Sequence, residues 1–297
     1  MNGIPHTPVL IQEAIDALNV TQGNTYIDAT TGAGGHGVEI VKRGGVLLGI
    51  DQDEKALDIA RDRLEREGNT LVSKGAWKLV HGNFRNIETI AREQKFINVS
   101  GILFDLGVSS MQLDTPERGF SYRFTDAPLD MRLDQSGGDT AAQLVNRKGA
   151  EELYDIFSTY GEEQLARKLS DAVCRARAVK PIVTVRGLID AVTTVAPNEG
   201  ARYGVLSRVF QGLRIAVNDE LGSLRDGLKG AYNVLKPEGR LVVISFHSLE
   251  DRIVKQFMRQ DIWESVSKHP VRPSEGEIHE NIRSRSAKMR VAVKKAV

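Results

Sequence analysis

Four stretches carry residues suited to chemistry, and each follows a run of apolar residues. The first is Asp28-Ala-Thr-Thr-Gly-Ala-Gly-Gly-His36. Glycines such as Gly34 and Gly35 let backbone approach a ligand closely and accept positive φ. A helix opening at His36 would add free N–H groups and the positive end of its dipole. The second is Asp51, about 20 residues further on, where a strand-tip carboxylate can accept both hydroxyls of a ribose. The third is His81-Gly-Asn-Phe84, whose ring could cover one face of an adenine. The fourth is Phe104-Asp-Leu-Gly-Val-Ser-Ser110, where Asp105 supplies a carboxylate and Ser109 and Ser110 short hydroxyls. In register, these groups would grip a nucleoside and leave an acid beside the reacting atom.

Each feature also has an ordinary explanation. The glycines could form a plain tight turn, Asp51 could cap the next helix, Phe84 could fill a core, and Asp105 could cap backbone N–H groups. Asp53 suits the helix cap better, which frees Asp51. A buried carboxylate such as Asp105 needs a partner. His247, in Ser245-Phe-His-Ser-Leu-Glu-Asp251, stands between a structural and a catalytic role. The glycine cluster is followed by no Gly-Lys-Ser/Thr and lacks the spacing G-x-G-x-x-G. No G-x-S-x-G surrounds Ser109 or Ser245, and His6, His269 and His279 show no metal-ligand spacing, so no catalytic metal is expected.

The elements that must position these groups alternate. Thr25–Thr30, Val46–Asp51, Lys78–His81 and Val99–Leu106 read as strands, and Val46–Asp51 has the continuous apolar character of a strand buried on both faces. Helical spacing fills His36–Lys42, Asp53–Glu67 and Ile87–Gln94. The order β-α-β-α-β-α-β predicts a parallel sheet. Gly107–Gly138 shows no period. Residues 139–235 then read as helix, in Glu151–Tyr160, Glu162–Val179, Val185–Val195 and Leu206–Leu235. The apolar Gly239–Phe246 predicts a further strand, Leu249–Arg259 a helix, and Lys288–Val293 a last strand. A sheet interrupted by a helical insertion accommodates all of this. The insertion would occupy 111–217, and 1–110 with 218–297 would form the sheet domain. Two sequential domains would leave Gly239–Phe246 without a sheet to join.

The 297 residues are 41% hydrophobic and 27% charged, which suits a folded globular chain. The net charge of +1 does not mark a nucleic-acid binder, so such a surface must come from local clustering. Two clusters qualify. Arg167, Lys168, Arg175, Arg177 and Lys180 fall in the insertion, and Arg283, Arg285, Lys288, Arg290, Lys294 and Lys295 fill the tail without an acid among them. The single Cys174 excludes an internal disulfide and points to a reducing compartment. No signal peptide and no long apolar run is evident, so a cytoplasmic protein is expected.

Taken together, the motifs resemble the ribosomal RNA small subunit methyltransferase H family, also called MraW. The resemblance runs from His6-Thr-Pro-Val-Leu to Arg285-Ser-Ala-Lys-Met-Arg290. It rests on Gly34-Gly-His36, Asp105-Leu-Gly-Val-Ser-Ser110, Gln112-Leu-Asp114, Glu117-Arg-Gly-Phe120, Pro128-Leu-Asp-Met-Arg132, Tyr160-Gly-Glu-Glu163, Leu213-Arg-Ile-Ala-Val-Asn-Asp-Glu220 and Ile244-Ser-Phe-His-Ser-Leu-Glu-Asp-Arg252. Two stretches depart. The family's usual His-Pro-Ala-Thr-Arg reads Gly204-Val-Leu-Ser-Arg208, and the segment between Arg259 and Pro273 is short. Both bear on RNA contacts more than on cofactor binding.

The resemblance implies an α/β fold: a Rossmann-like S-adenosylmethionine-dependent methyltransferase sheet with an inserted all-helical, substrate-recognising domain. It implies N4-methylation of a cytidine in the decoding region of 16S ribosomal RNA, with S-adenosylmethionine as donor and the small ribosomal subunit as partner. Cofactor contacts would fall on Gly34, Gly35, His36, Asp51, Phe84, Asp105 and Gln112, the last from resemblance alone. Asp105 or the Ser109 region would accept a proton from the attacking amine. The target base must leave any stack to reach such a pocket. A nicotinamide-dependent oxidoreductase is the rival enzyme, and a non-catalytic ribosome-assembly factor the rival of another class. Oligomeric state stays open, a homodimer included.

Overall fold

The computed structural model describes residues 8–68 and 75–296, so His6 lies outside them. The chain divides into two compact units. One is built from residues up to Gly107 and from Leu221 onward, the other from Val108–Glu220.

In the first unit, seven strands among the described residues form one sheet. They are β1 (Thr25–Asp28), β2 (Val46–Asp51), β3 (Trp77–His81), β4 (Val99–Asp105), β5 (Leu235–Ser245), β6 (Trp263–Ser265) and β7 (Lys288–Lys294). Their order is β3-β2-β1-β4-β5-β7-β6. The first five in that order run parallel, and β7 and β6 are antiparallel to their neighbours. This is the expected Rossmann-like α/β sheet, and the expected strand Gly239–Phe246 finds its place within it as part of β5 up to Ser245.

Successive side chains on a strand point to opposite faces, so a doubly covered sheet needs apolar residues at both parities. The strands have them. Ile27, Leu48, Ile50, Ile102, Phe104, Leu241 and Val243 join one core. Tyr26, Leu47, Leu103, Val242 and Ile244 join the other. Burying each such side chain contributes about 1.5–3 kcal/mol. The second core is closed by α1 (Ile11–Leu18), α2 (Gly35–Lys42) and α3 (Glu54–Gly68). The first is closed in part by α4 (Ile87–Gln94). Tyr26 fits because Gly45 and Gly101 carry no side chain: a Cβ at either would lie 3.0 Å from its ring. Its hydroxyl accepts the Thr21 N–H at 2.8 Å.

The second unit has its own core, drawn entirely from residues between Phe120 and Leu213. It contains α5 (Ser110–Asp114), α6 (Ala141–Arg147), α7 (Ala150–Asp155), α8 (Ala166–Val179), α9 (Val185–Thr193) and α10 (Glu199–Asn218). A π-helical turn, Ile156–Tyr160, continues α7. Two of the sequence motifs pack on each other here. Gly119 has φ +67, and a Cβ on it would meet Pro128 O at 2.3 Å. The Met131 N–H donates to Arg118 O at 2.9 Å, and the buried Arg118 guanidinium donates to the carbonyls of Arg132 and Leu133. Gly161 and Gly212 let the π-turn and α10 cross closely, since a Cβ on either would approach backbone within 3 Å.

The chain returns to the first unit through α11 (Glu220–Val234), which lays Leu224, Leu228 and Ala231 on the sheet. It then continues through α12 (Ser248–Phe257) and α13 (Glu275–Glu280).

Three expectations need correction. The run Leu206–Leu235 is two helices, because Asp219 takes a left-handed conformation (φ 45°) between α10 and α11. β5 starts at Leu235, four residues before the expected Gly239, because a register shift pairs Leu235 with Val99 and Arg240 with Gly101. Gly107–Gly138 holds α5 and the turn Pro116–Arg118 rather than wholly irregular chain. No helix among the described residues is long and apolar enough to cross a membrane.

Candidate active site

The parallel strands end together. Asp28 is opposite Gly49 and Leu103, Asp51 is opposite His81, and Asp105 is opposite Ile244. Open α/β sheets bind ligands at these carboxyl ends. Acidic side chains therefore mark the tips of β1, β2 and β4, and Glu250 of α12 stands close enough to raise the Asp105 carboxyl.

The glycine loop is tied to its neighbours by short bonds. Thr31 N–H donates to Ile50 O at 3.0 Å, and Gly32 N–H donates to Asp51 Oδ2 at 2.7 Å. The other Asp51 oxygen accepts the Asp53 N–H at 2.8 Å. Asp51 thus joins the loop after β1 to the start of α3. A carboxylate offers about four lone pairs, and the Gln52 amide also acts on Asp51, which leaves capacity for a ribose hydroxyl. Asp53 takes the capping task, accepting the Lys55 N–H at 3.2 Å.

Gly34 and Gly35 are buried, and their hydrogens face protein. A Cβ on Gly34 (φ +78) would lie 3.1 Å from Ala60, and one on Gly35 would lie 2.1 Å from Pro8. These glycines seat the loop on α3 and on Pro8. Gly32, absent from the sequence-based site, has φ +52, and a Cβ on it would meet only Thr30 O, at 4.0 Å. With Ala33 it is the half-exposed part of the cradle. No side chain caps α2, so its first N–H groups stay available.

His36, in the first turn of α2, is buried. Its Nδ1 lies 3.8 Å from Asp105 Oδ2, so the partner expected for Asp105 comes from the glycine stretch after β1. The Asp105 N–H donates to Thr30 Oγ1 at 2.6 Å, fixing the tip of β4 against the loop. Among the described residues Asp105 Oδ1 and Asp28 Oδ2 are buried with no hydrogen-bond partner. Burial, then the charges of Asp28 and Glu250, hold the Asp105 carboxyl well above the usual range. Burial likewise pushes Asp51 up against the pull of its amide donors. Asp28, which in the sequence merely heads the glycine stretch, is fully buried and pushed up to about 7 by burial, with the Thr30 amide opposing and Asp51 adding.

Phe84 is half-buried. It packs edge-on against Phe104, with centroids 5.5 Å apart, and against Gly227, leaving part of its ring exposed. His247 caps α12: its Nδ1 accepts the Glu250 N–H at 3.4 Å, and Glu250 Oε2 returns to the Phe246 N–H at 2.9 Å. Ser109 and Gln112 fall in the second unit. They close a capping box at the start of α5, with Ser109 Oγ accepting the Gln112 N–H and Gln112 Oε1 accepting the Ser109 N–H. The Ser-x-x-Gln spacing already signals that box. The roles of Glu250 and Thr30 carry no signal in the sequence, because they come from tertiary proximity.

Residues 3–295 match the MraW methylase family. The chain belongs to that family. A ribosomal RNA small subunit methyltransferase H from Symbiobacterium thermophilum is 44% identical over 313 residues, covering 97% of this chain and 96% of its own. Its namesake from Carboxydothermus hydrogenoformans is 43% identical, covering 97% of each. That from Halothermothrix orenii is 42% identical, covering 97% of this chain and 98% of its own. Within residues 204–208, Arg208 Nε donates to Oε2 of the buried Glu163 at 2.7 Å, which ties this stretch to Tyr160-Gly-Glu-Glu163.

Asp28 yields a stability prediction for this family member. Its folded value of about 7 exceeds the ordinary 3.8, so the neutral form is favoured in the fold. Ionising it costs nothing below 3.8, and the cost grows as pH rises to about 7, where it reaches about 4 kcal/mol. Asp28→Asn keeps an acceptor for the Thr30 amide. Chemical denaturation is expected to show the variant gaining stability relative to wild type by about that amount across this window. A difference that stays constant with pH would contradict the assignment.

Proposed function

We propose that the chain transfers a methyl group from S-adenosylmethionine to the exocyclic N4 of a cytidine in the decoding region of 16S ribosomal RNA. The observation carrying the reading is the pairing of Asp105 with His36 at the carboxyl edge of the sheet, beside an uncapped helix and a glycine loop held by Asp51. Family membership and the names of the relatives support the substrate class.

The residues present suit this cofactor. Buried carboxyl oxygens of Asp28 and Asp105 without hydrogen-bond partners favour a cationic neighbour over an anionic one. Asp51 keeps capacity for a ribose hydroxyl, the Gly32 position is half-exposed, and Phe84 offers part of a ring face. We assign Gly34, Gly35, His36, Asp51, Phe84, Asp105 and Gln112 to cofactor binding, and residues 111–217 to substrate recognition.

When bound, S-adenosylmethionine supplies an electrophilic methyl group on a sulfonium. The chain orients the attacking amine and takes its proton. A cytosine amine is a weak nucleophile because its lone pair conjugates with the ring. Ionised Asp105 accepts one of its N–H bonds and draws electron density onto nitrogen as the new bond forms. The raised Asp105 carboxyl is a stronger base than an ordinary aspartate, which suits that task. His36 holds the carboxylate in place, and the Thr30 hydroxyl fixes its backbone. We assign Ser109 a supporting place as a hydrogen-bonding hydroxyl. The test is transfer of labelled methyl to small ribosomal subunits lacking the modification, followed by digestion to nucleosides. Label in N4-methylcytidine is expected, and label in any other nucleoside contradicts the reading.

A further inference from the structure

A second cleft, of about 320 Å³, opens on the far side of β5 and has no part in the chemistry above. Six cations line it: Lys255, Arg259, Lys268, Arg272, Lys288 and Arg290. Asp251 is the one acid among the described lining residues. The lining thus carries five net positive charges in a chain whose total is +1, so the remainder nets four negative. Such local concentration is the footprint of an anion site.

The fold builds the cleft from three directions. Asp251 and Lys255 are one turn apart on α12, and Arg259 follows the helix end. The segment holding Lys268 and Arg272 is pinned to β7 by reciprocal bonds between Val271 and Met289, each 2.9 Å. Met289 is buried, so the alternate positions 288 and 290 face the other way, as do 270 and 272 across the bridge. Asp251 accepts Arg290 Nε at 2.7 Å and Lys288 Nζ at 3.3 Å, which fixes those two cations. By contrast Lys255, Arg259, Lys268 and Arg272 are exposed, and among the described residues none has a carboxylate partner. Elsewhere arginines such as Arg167 and Arg214 are paired. Exposed cations without a carboxylate partner among the described residues, such as Lys168, Arg175 and Lys180, occur elsewhere too, but here four of them line one cleft.

Its placement is also set by register. Asp105 is opposite Ile244, Ile244 is opposite Met289, and Met289 is opposite Val271, one continuous row across the sheet. Strands lie about 4.8 Å apart, so Met289 is about 10 Å and Val271 about 14 Å from Asp105 along this row. A stacked strand rises about 3.4 Å per nucleotide, so that distance spans three to four nucleotides. We propose that this cleft binds backbone phosphates of the RNA strand whose target base sits at Asp105, a few nucleotides from that base. The proposal rests on the functional reading above and adds a phosphate site to it.

The test uses the full-length protein with Lys255→Gln and Arg272→Gln combined, and Lys95→Gln as an exposed control just before the amino end of β4. Binding of a short fluorescein-labelled single-stranded RNA is followed by anisotropy over a salt series. The double variant is expected to bind roughly tenfold more weakly, with a salt slope shallower by about 0.7 for each phosphate that is no longer neutralised. KM for small subunits should rise with kcat kept, and S-adenosylhomocysteine affinity should match wild type, which shows that the variant is folded. RNA affinity and slope equal to wild type, or a loss no greater than that of Lys95→Gln, overturn the proposal. So does a variant that no longer broadens the phosphorus resonance of inorganic phosphate yet keeps its RNA affinity, because the cleft is then a free-anion site. Lost RNA binding in a protein whose wild type transfers no methyl supports the cleft and refutes the methylation reading.

Discussion

Asp105→Asn is expected to lower the rate of methyl transfer about 10²–10⁴-fold while leaving S-adenosylhomocysteine affinity within a few-fold of wild type. The substitution keeps the shape of the side chain at the tip of β4 and an oxygen for His36, but removes the charge that accepts the proton. A positioned acid or base contributes that range of rate, and saturating cofactor does not restore it because the loss falls on the transition state. The pH profile adds a second readout. Burial and the charges of Asp28 and Glu250 hold the Asp105 carboxyl up, so ionisation occurs at higher pH than for an ordinary aspartate. Wild-type kcat should rise with pH through that ionisation, and the rising limb should vanish in the variant. Single-turnover kinetics with calorimetry of cofactor binding decide it. A variant with full rate removes Asp105 from the chemistry. A variant that loses rate only in proportion to cofactor affinity shows that Asp105 holds the cofactor and takes no proton.

Asp51→Ala should act on the other half of the reaction. Both oxygens of Asp51 accept backbone N–H groups, from Gly32 at 2.7 Å and Asp53 at 2.8 Å. A hydrogen bond to a charged group contributes about 1.5–3 kcal/mol, so the alanine variant releases the cradle and loses the ribose acceptor at once. S-adenosylhomocysteine affinity is expected to fall by roughly 10²–10³-fold, with kcat at saturating cofactor largely kept. Asp51→Asn, which keeps one acceptor oxygen, should lose less. Calorimetric affinity within about threefold of wild type for the alanine variant would show that Asp51 only joins the loop to α3.

The elements that sequence reasoning locates best are those whose local pattern and burial agree. β2 is apolar at both parities and bounded by Gly45 and Asp51, so its limits are those expected, and α4 coincides residue for residue. α1 has apolar residues at helical spacing, Ile11, Ala14, Ile15 and Leu18, yet is bounded by Leu10 and Asn19 in left-handed conformations, with no glycine or proline to mark the ends. The break at Asp219 is hidden for the same reason, since apolar spacing continues across it. β6 has only three residues, and its pairing with β7 defines it. The candidate site divides similarly. Strand tips place Asp51 and Asp105 from the sequence alone, because a carboxylate at the end of an apolar run can only face the crevice or a partner. That Asp105 meets His36, and that Asp28 and Glu250 act on its carboxyl, follows from β1 and β4 being neighbours in the sheet although well separated in the chain. Gly34 and Gly35 show what residue type alone leaves open: it marks the loop, while the close approach of their Cα atoms to Ala60 and Pro8 follows from packing.

Crystals grown with S-adenosylhomocysteine test the central claim most directly. The account predicts the nucleoside lying along Gly32–Gly35, with its ribose hydroxyls hydrogen-bonded to Asp51, its adenine against Phe84 and its sulfur beside Asp105. A nucleoside bound at another edge of the molecule, with Asp51 still contacting only backbone amides, would contradict it.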